Sequence, residues 1–184
     1  MPTASLSRAF ACASSVLANV KPDQLDDPTP CRSWTVRQLI NHMVAAPRFG
    51  VAVLQSGAAP GDEVDYSAGD FVGVYDETAR TTVAAFDEEG ALEKMVALPF
   101  AEVPGAFLQT MITTDQFTHA WDLAKATGQP TDLDPDFAAQ LLAETAIPDQ
   151  YRGPDGQAPF GPARAAPAGA SAADKLAALL GREV

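Results

Sequence analysis

Residues 108–128, LQTMITTDQFTHAWDLAKATG, form the segment from which the fold can be worked out. Its second part, residues 116–128, is rich in Ala and Leu, and the segment has no Gly or Pro before Gly128, so it predicts a helix from about Ala106 to Thr127. Advancing 100° per residue gathers a core-facing sector roughly 120° wide, which consists of Leu108, Met111, Ile112, Asp115, Thr118, His119 and Asp122. Two carboxylates and an imidazole share this apolar sector, and their burial costs several kcal/mol unless each has a partner.

A divalent metal ion is one such partner, because Asp115 and His119 are one helical turn apart and can present two ligand atoms to one point. The only other histidine is His42, in RQLINHMVAAP, at the flank of another predicted apolar stripe. Both histidines can therefore meet between two helices. The alternative is that they are ordinary core or boundary residues. Asp122 is open to two interpretations, as an acceptor that orients an imidazole or as a partner of a backbone or Arg group.

The rest of the chain predicts further helices joined by polar connections. Their ranges are about 4–19, from Ser33 through residue 44 and beyond, 71–86, 136–146, and a last short turn in DKLAALLG. Ser33 is the expected N-cap of the second helix, and Pro47 should kink or interrupt that helix. Residues 54–70 form a connection long enough to cross from one end of a bundle to the other. The stretch VALPF, residues 96–100, has some extended character, but we assign 91–105 to a structured loop.

Composition limits the classes of protein to be considered. The chain has 184 residues, of which 47% are hydrophobic, so residues 1–184 are expected to form a single domain. A formal charge of -12 argues against nucleic acid and anionic membranes as partners. Two cysteines are too few for a disulfide framework and indicate a reducing compartment, which we take to be the cytoplasm. The N-terminal run SRAFACASSVLANV predicts an amphipathic helix rather than a signal peptide.

Two motifs carry a resemblance to a known family. DDPTPCRSWTVRQLINHM and TTDQFTHAWDLAKATGQP, followed by PFGPA and DKLAALLG, resemble the mycothiol-dependent maleylpyruvate isomerase metal-binding domain family of the DinB/YfiT-like superfamily. The likeness spans nearly the whole chain. It implies an all-α, DinB-like four-helix bundle, up-down-down-up, with additional short C-terminal helices. It also implies a divalent metal, most often zinc with nickel as an alternative, held by His42, Asp115 and His119 with open positions for water or substrate.

The resemblance also implies a function. Members use low-molecular-weight thiols such as mycothiol, so we expect a metal-dependent thiol S-transferase or isomerase that acts on a small electrophilic metabolite. A homodimer is one assembly to be considered. Two departures matter. Asp115 stands where the characterised isomerase has a glutamate, and the 34 residues after Gln150 are too few for that isomerase's second domain, so maleylpyruvate is not the expected substrate. The alternatives are a non-catalytic metal-binding stress or sensor module and a bundle with an empty, vestigial site.

Several other side chains have both a functional and a structural interpretation. Cys31 precedes the second helix, where a helix N-terminus can lower the pKa of a thiol, but packing is the interpretation we favour. Tyr75 is a candidate proton donor, although a half-buried tyrosine with its hydroxyl in water is more usual. The remaining candidates, which we assign to core, boundary or solvated surface rather than to a ligand cleft, are Trp34, Trp121, Arg37 and Arg48. No phosphate loop, G-x-S-x-G elbow or CxxC pair is present.

Overall fold

The computed structural model describes residues 3–31, 33–56, 64–154, 158 and 160–184, and it is mostly helical. The α-helices are α1 (Ala4–Leu17), α2 (Val36–Ser56), α3 (Phe71–Asp87), α4 (Gly105–Ala126), α5 (Pro135–Glu144) and α6 (Ala172–Leu179). Short 3-10 turns cover Pro22–Gln24 and Asp149–Tyr151. The predicted helices are thus confirmed, with ends within about two residues of those expected.

The chain divides into two compact units. The first, which we call the bundle unit, contains the chain up to Ala18 and Ile40–Phe117; the second unit contains Asn19–Leu39 and Thr118–Val184. The bundle unit therefore holds α1, most of α2, α3 and the first half of α4, which make the four-helix bundle. Helices α2 and α4 contribute residues to both units.

Apolar residues at helical spacing build the core of the bundle unit. Fully buried positions recur along α1 and α2, at Leu6, Ala9, Phe10, Ala13, Ile40, Met43 and Val44. Phe10 meets Tyr75 of α3 edge to face, with ring centroids 5.8 Å apart. Helices α2 and α4 approach closely at Gly50, since a Cβ added there would lie 2.5 Å from Cδ1 of Ile112. A larger side chain at Gly50 therefore requires the end of the Ile112 side chain to move.

The start of α2 differs from the prediction. The helix begins at Val36, and the capping contacts are made by Thr35 rather than by Ser33, so the prediction of Ser33 as N-cap is wrong. The Thr35 amide donates to Gln38 Oε1 over 2.9 Å, and the Gln38 amide donates to Thr35 Oγ1 over 3.5 Å. This reciprocal pair is a capping box, in which the side chains of the capping Thr and of the Gln three residues later each accept from the backbone amide of the other. Pro47 does not interrupt the helix, which continues to Ser56.

Residues 95–104 form a β-hairpin where a loop was expected. Strand β1 (Met95–Leu98) pairs antiparallel with β2 (Ala101–Pro104), with Met95 opposite Pro104. Val96, Leu98 and Val103 are buried. In β1 these buried residues alternate with exposed ones, which is the pattern of a strand with one face on the core. Met95 and Phe100 are 51% and 60% exposed. Within the described part of the chain, each strand pairs only with the other, so the outer edges of this sheet lack a strand partner.

The second unit is built from the end of α4, α5 and α6. Trp121 of α4 is buried, and its Nε1 donates to Oδ1 of Asp174 in α6 over 2.8 Å. Thr131 Oγ1 donates to the same carboxylate oxygen over 3.0 Å, while Ser171 caps α6 by accepting from the Asp174 amide. Asp174 thus ties three segments of this unit together. Among the described residues, no helix has both the length and the apolarity needed to cross a bilayer.

The long predicted connection 54–70 falls partly outside the described residues. Leu54, Gln55 and Ser56 belong to the last turn of α2, while residues 57–63 are not described. Asp65 and Ser67, near the start of α3, are held against α2 because Asn41 Nδ2 donates to Asp65 Oδ1 and the Ser67 amide donates to Asn41 Oδ1. Asp70 then caps α3 by accepting from the Gly73 amide.

Candidate metal centre

The bundle unit brings together two of the three predicted metal ligands. His42 lies on the second turn of α2 and Asp115 on the third turn of α4, and His42 Nε2 is 3.3 Å from Asp115 Oδ1. Both side chains are partly exposed, His42 by 30% and Asp115 by 31%. The pair is therefore accessible from solvent although it sits at the edge of an apolar core, as a site that exchanges small ligands requires.

A buried hydrogen-bonded chain stands behind Asp115. The Tyr75 hydroxyl donates to Gln116 Oε1 over 2.7 Å, and Gln116 Nε2 donates to Asp115 Oδ2 over 3.1 Å. Tyr75 and Gln116 are fully buried. Burial, together with the nearby charge of Asp115, raises the pKa of Tyr75 well above its ordinary value of 10.0. The expectation of a half-buried tyrosine with its hydroxyl in water is wrong, because this hydroxyl supports an amide in the core.

The third predicted ligand, His119, lies one turn beyond Asp115 on α4, where the chain enters the second unit. Its ring is almost fully buried, and Nδ1 is 2.9 Å from Oδ2 of Asp122. The indole of Trp34 lies beside the imidazole, with ring centroids 5.6 Å apart. This contact is consistent with the interpretation of Asp122 as an acceptor for an imidazole. The interpretation as a partner of an arginine is also consistent with the structure, because Arg182 donates to the same carboxylate.

Asp122 is fully buried and gathers four donor contacts in the second unit. Besides His119, Oδ2 accepts from Arg182 Nη2 over 2.9 Å and from Cys31 Sγ over 3.2 Å, and Oδ1 accepts from Arg182 Nε over 3.2 Å. Burial by itself would raise the pKa of Asp122, but the Arg182 charge and the bond to His119 outweigh it and lower the pKa to about 2. Conversely, burial lowers the pKa of Arg182, and the Asp122 charge more than reverses this, so the guanidinium stays protonated.

Cys31, His119 and Asp122 also form a group that could hold a cation, since one ligand atom from each lies within 4.8 Å of the others. Arg182 makes this an unfavourable metal site. Its guanidinium already neutralises Asp122 and approaches Cys31 Sγ to 3.6 Å, so a divalent ion there would meet a fixed positive charge. The pair of His42 and Asp115 joins an imidazole to a carboxylate at a partly exposed position, and we take it as the better place for a metal.

Other side chains singled out from the sequence have structural partners. Arg37 pairs with Asp26, which is well exposed, and Arg48 donates to Thr78 Oγ1 and lies over the Tyr66 ring. These contacts agree with the structural interpretation of both arginines. The contacts of Trp121 and Trp34, described above, place the first in the core and the second against His119. The sequence analysis did not single out Gln116 or Arg182. Gln116 directly follows Asp115, but its bond to Tyr75 joins residues 41 apart, and no pattern of spacing marks Arg182.

Comparison with known proteins gives a consistent family and fold. The sequence model of the family described as mycothiol maleylpyruvate isomerase N-terminal domain matches residues 6–124. Two uncharacterized Mycobacterium tuberculosis proteins, MT0763 of strain CDC 1551 / Oshkosh and Rv0738 of strain ATCC 25618 / H37Rv, are each 39% identical over 183 residues, which is 96% of this chain and 95% of theirs. The crystal structure of the mycothiol-dependent maleylpyruvate isomerase has a TM-score of 0.61 at 16% identity, covering 78% of this chain and 68% of that one. This last likeness shows the shared DinB-like bundle, up-down-down-up, with short helices added after it.

Proposed function

We propose, because this chain belongs to the mycothiol maleylpyruvate isomerase N-terminal domain family, that it binds one divalent metal ion through His42, Asp115 and His119. With that ion it uses a low-molecular-weight thiol of the mycothiol type to act on a small electrophilic metabolite, as an S-transferase or an isomerase. The family supplies the class of thiol and reaction. The argument for the metal site comes from the positions and contacts of His42, Asp115 and His119 in this chain.

The separation of His42 Nε2 and Asp115 Oδ1 carries the proposal. Their 3.3 Å is long for a charge-assisted hydrogen bond, which is usually about 2.7–2.9 Å. It matches the separation of two ligand atoms around one tetrahedral zinc ion, about 3.3–3.4 Å for zinc–ligand distances of roughly 2.0–2.1 Å. The two atoms are thus spaced as ligands of a shared cation would be. Gln116 Nε2 holds Oδ2 of the same carboxylate, so Oδ1 is the oxygen we assign to the metal.

His119 completes the proposed ligand set. It follows Asp115 by four residues on one continuous helix, so both side chains project from the same side of α4 on successive turns. Its Nδ1 contact with Asp122 is the kind of outer contact that metal-binding histidines commonly make. Two histidines and one carboxylate are a ligand set of catalytic zinc sites, in which further positions stay open. Imidazole ligands also suit nickel, so zinc is the first choice and nickel the alternative.

A zinc ion in such a site would lower the pKa of a bound thiol, so that thiolate is available near neutral pH. The residues of the chain hold that ion, orient its ligands and keep the site open to solvent at His42 and Asp115. The thiolate sulfur would add to a carbon of an electrophilic double bond, and the displaced electron pair would take up a proton from water. In a transferase this adduct is the product, whereas in an isomerase the new carbon–sulfur bond breaks again after rearrangement and the thiol is released. Tyr75 takes no part as proton donor, since its hydroxyl is buried on Gln116. We propose a cytoplasmic location, which suits two cysteines that are not joined in a disulfide.

Metal content tests the ligand set directly. Protein purified without an affinity tag and supplemented with zinc should contain about one ion per chain, and His42→Ala, Asp115→Asn and His119→Ala should each weaken binding measured against a chromophoric chelator. Asp136→Asn, an exposed position in the first turn of α5, is the control for loss of one negative charge and should bind like the wild type. Absence of bound metal after supplementation, or unchanged affinity in the two histidine variants, would contradict the proposed site.

Turnover tests the reaction. The zinc-loaded protein is screened with mycothiol, glutathione and other cellular thiols against a panel of small electrophiles, and His119→Ala sets the background. We expect at least one pair to turn over faster than this background. If zinc binds stoichiometrically and no pair turns over, the protein is a non-catalytic metal-binding stress or sensor module. If neither metal nor turnover is found, the site is vestigial.

A further inference from the structure

We propose that Arg182 is a positioning residue for the metal site: through Asp122 it fixes which nitrogen of His119 carries the proton and how the imidazole is oriented. This inference rests on the proposed function, and it concerns a segment that lies 60 residues further along the chain than Asp122. All of the contacts that carry it lie within the second unit.

The first step is the ion pair between Arg182 and Asp122. Arg182 Nε and Nη2 reach the two oxygens of Asp122 over 3.2 and 2.9 Å, which is the forked geometry that matches a guanidinium to a carboxylate. Arg182 Nη1 also donates to the Leu180 carbonyl over 3.1 Å, so the guanidinium is anchored to the backbone that follows α6. A fully buried carboxylate without this cation would be very costly, so Arg182 is what keeps Asp122 an anionic acceptor in this place.

The second step runs from Asp122 to His119. An ionised carboxylate only accepts hydrogen bonds, so the 2.9 Å contact with His119 Nδ1 requires the proton on Nδ1. A neutral imidazole with its proton on Nδ1 carries its lone pair on Nε2. The contact therefore selects the tautomer in which Nε2 is the coordinating nitrogen, and it holds the ring plane at the same time. Cys31 Sγ donates to the same oxygen of Asp122, which further limits movement of the carboxylate.

The tautomer of His119 can be measured in the metal-free protein. The chain has only two histidines, so the imidazole nitrogen signals in a long-range nitrogen–proton correlation spectrum are assigned with one variant, His42→Ala. At a pH where the imidazole is neutral, we expect His119 to carry its proton on Nδ1 in the wild type. In Arg182→Gln we expect a larger share of the Nε2-protonated form. Zinc affinity, measured in parallel, should fall about 10- to 100-fold in that variant.

Two further variants separate positioning from a merely structural role. Arg164→Gln is the matched control, because Arg164 is also an arginine that donates to a backbone carbonyl of this segment, that of Gly181, and it should change neither readout. Arg182→Lys keeps the charge without the fork and should restore part of the Nδ1-protonated form. A structural role alone would lower the midpoint of urea unfolding in Arg182→Gln while leaving the His119 tautomer as in the wild type.

The outcomes distinguish this inference from the proposed function. Protonation of His119 on Nε2 in the wild type, or an unchanged tautomer and zinc affinity in Arg182→Gln, overturns the role of Arg182. An Nδ1-protonated His119 that responds to Arg182→Gln supports that role. If the same wild-type protein then fails to bind zinc, the proposed function is what has failed, since the tautomer is read without any metal.

Discussion

Gln116 joins two polar groups that would otherwise be costly in the bundle unit. Its amide oxygen accepts from Tyr75, and its amide nitrogen donates to Asp115 Oδ2. Because an ionised carboxylate only accepts hydrogen bonds, Asp115 takes the amide nitrogen of Gln116, and the amide oxygen is left to accept from the Tyr75 hydroxyl. The Tyr75 hydroxyl thus helps to hold the amide that supports a proposed metal ligand.

Replacement of Tyr75 by Phe tests this chain of bonds. Removing the hydroxyl leaves the buried Gln116 oxygen without this donor, so we expect the free energy of unfolding to fall by about 1–3 kcal/mol. Urea unfolding followed by circular dichroism measures the change. Tyr151→Phe is the matched control, because Tyr151 is 42% exposed, and it should stay within about 0.5 kcal/mol of the wild type. Equal stability of Tyr75→Phe and the wild type would contradict the role assigned to the hydroxyl.

The sequence predicted the candidate ligands but not what supports them. Helical spacing puts Asp115 and His119 on one face, and the scarcity of histidine draws attention to His42. The bond between Gln116 and Tyr75 and the pairing of Arg182 with Asp122 could not be predicted, because they arise only through tertiary proximity. Cys31 and Asp122 are 91 residues apart in the chain and meet at 3.2 Å. No local periodicity encodes such a contact.

At the scale of elements, the approach of α2 to α4 depends on the missing side chain of Gly50. We expect Gly50→Val to lower stability by about 1–3 kcal/mol, because the added carbons overlap Ile112. The cost should be smaller in an Ile112→Ala background, where the space has been vacated, and a double-mutant cycle of unfolding free energies measures the difference. Additive effects would show that Gly50 and Ile112 do not compete for the same space.

Asp174 gives the end of α4 and the start of α6 a pH-dependent connection. Burial acts to raise the pKa of Asp174, but hydrogen bonds from Trp121, Thr131 and Ser171 lower it below its ordinary value of 3.8. A carboxyl whose folded pKa is depressed stabilises the protein above its unfolded pKa, and this stabilisation is lost as pH falls through the folded pKa. The contribution should therefore be complete at neutral pH and fade below about pH 4.

Asp174→Asn should accordingly destabilise the protein at pH 7, and its deficit relative to the wild type should shrink as pH is lowered below about 4. Urea midpoints at both pH values measure the deficit. Asp136→Asn, which removes a negative charge from an exposed position of α5, corrects for the general effect of charge. A deficit that is the same at both pH values would mean that the ionised form of Asp174 is not what stabilises α6.

The elements were predicted with unequal success for physical reasons. Long amphipathic helices repeat their pattern over several turns, so α3 and α4 were located almost to the residue. The hairpin was missed because four-residue strands offer only two alternations, and Pro99 and Pro104 favour loops equally well. Ser33 was assigned as N-cap because serine is a good capping residue. Thr35 is one too, and its partner Gln38 is what marks it as the cap.

At the scale of the whole molecule, we expect one unfolding transition that zinc moves upward. The expectation of a single domain over 1–184 remains a prediction, which is supported by the sharing of α2 and α4 between both units. A ligand at one hundred times its dissociation constant that binds only the folded state adds about 2.7 kcal/mol. For a chain of this size this corresponds to a rise in Tm of roughly 5–10 °C.

Differential scanning calorimetry with zinc and with a chelator measures the number of unfolding transitions and the shift in Tm. His119→Ala is the control, and its Tm should be nearly the same in the two conditions. Two resolved transitions in the wild type would contradict the single domain. Equal Tm values with zinc and with chelator would mean that metal binding is not linked to folding.

The hairpin has a consequence for how copies of the protein meet in solution. Its outer strand edges offer backbone groups to another chain, and Met95 and Phe100 add apolar area beside them. At pH 7 the formal charge of -12 keeps such surfaces apart by mutual repulsion. Near the isoelectric point of about 4.3 this repulsion vanishes, so colloidal stability should reach its minimum there, and Phe100→Ser should widen the pH range over which the solution stays clear.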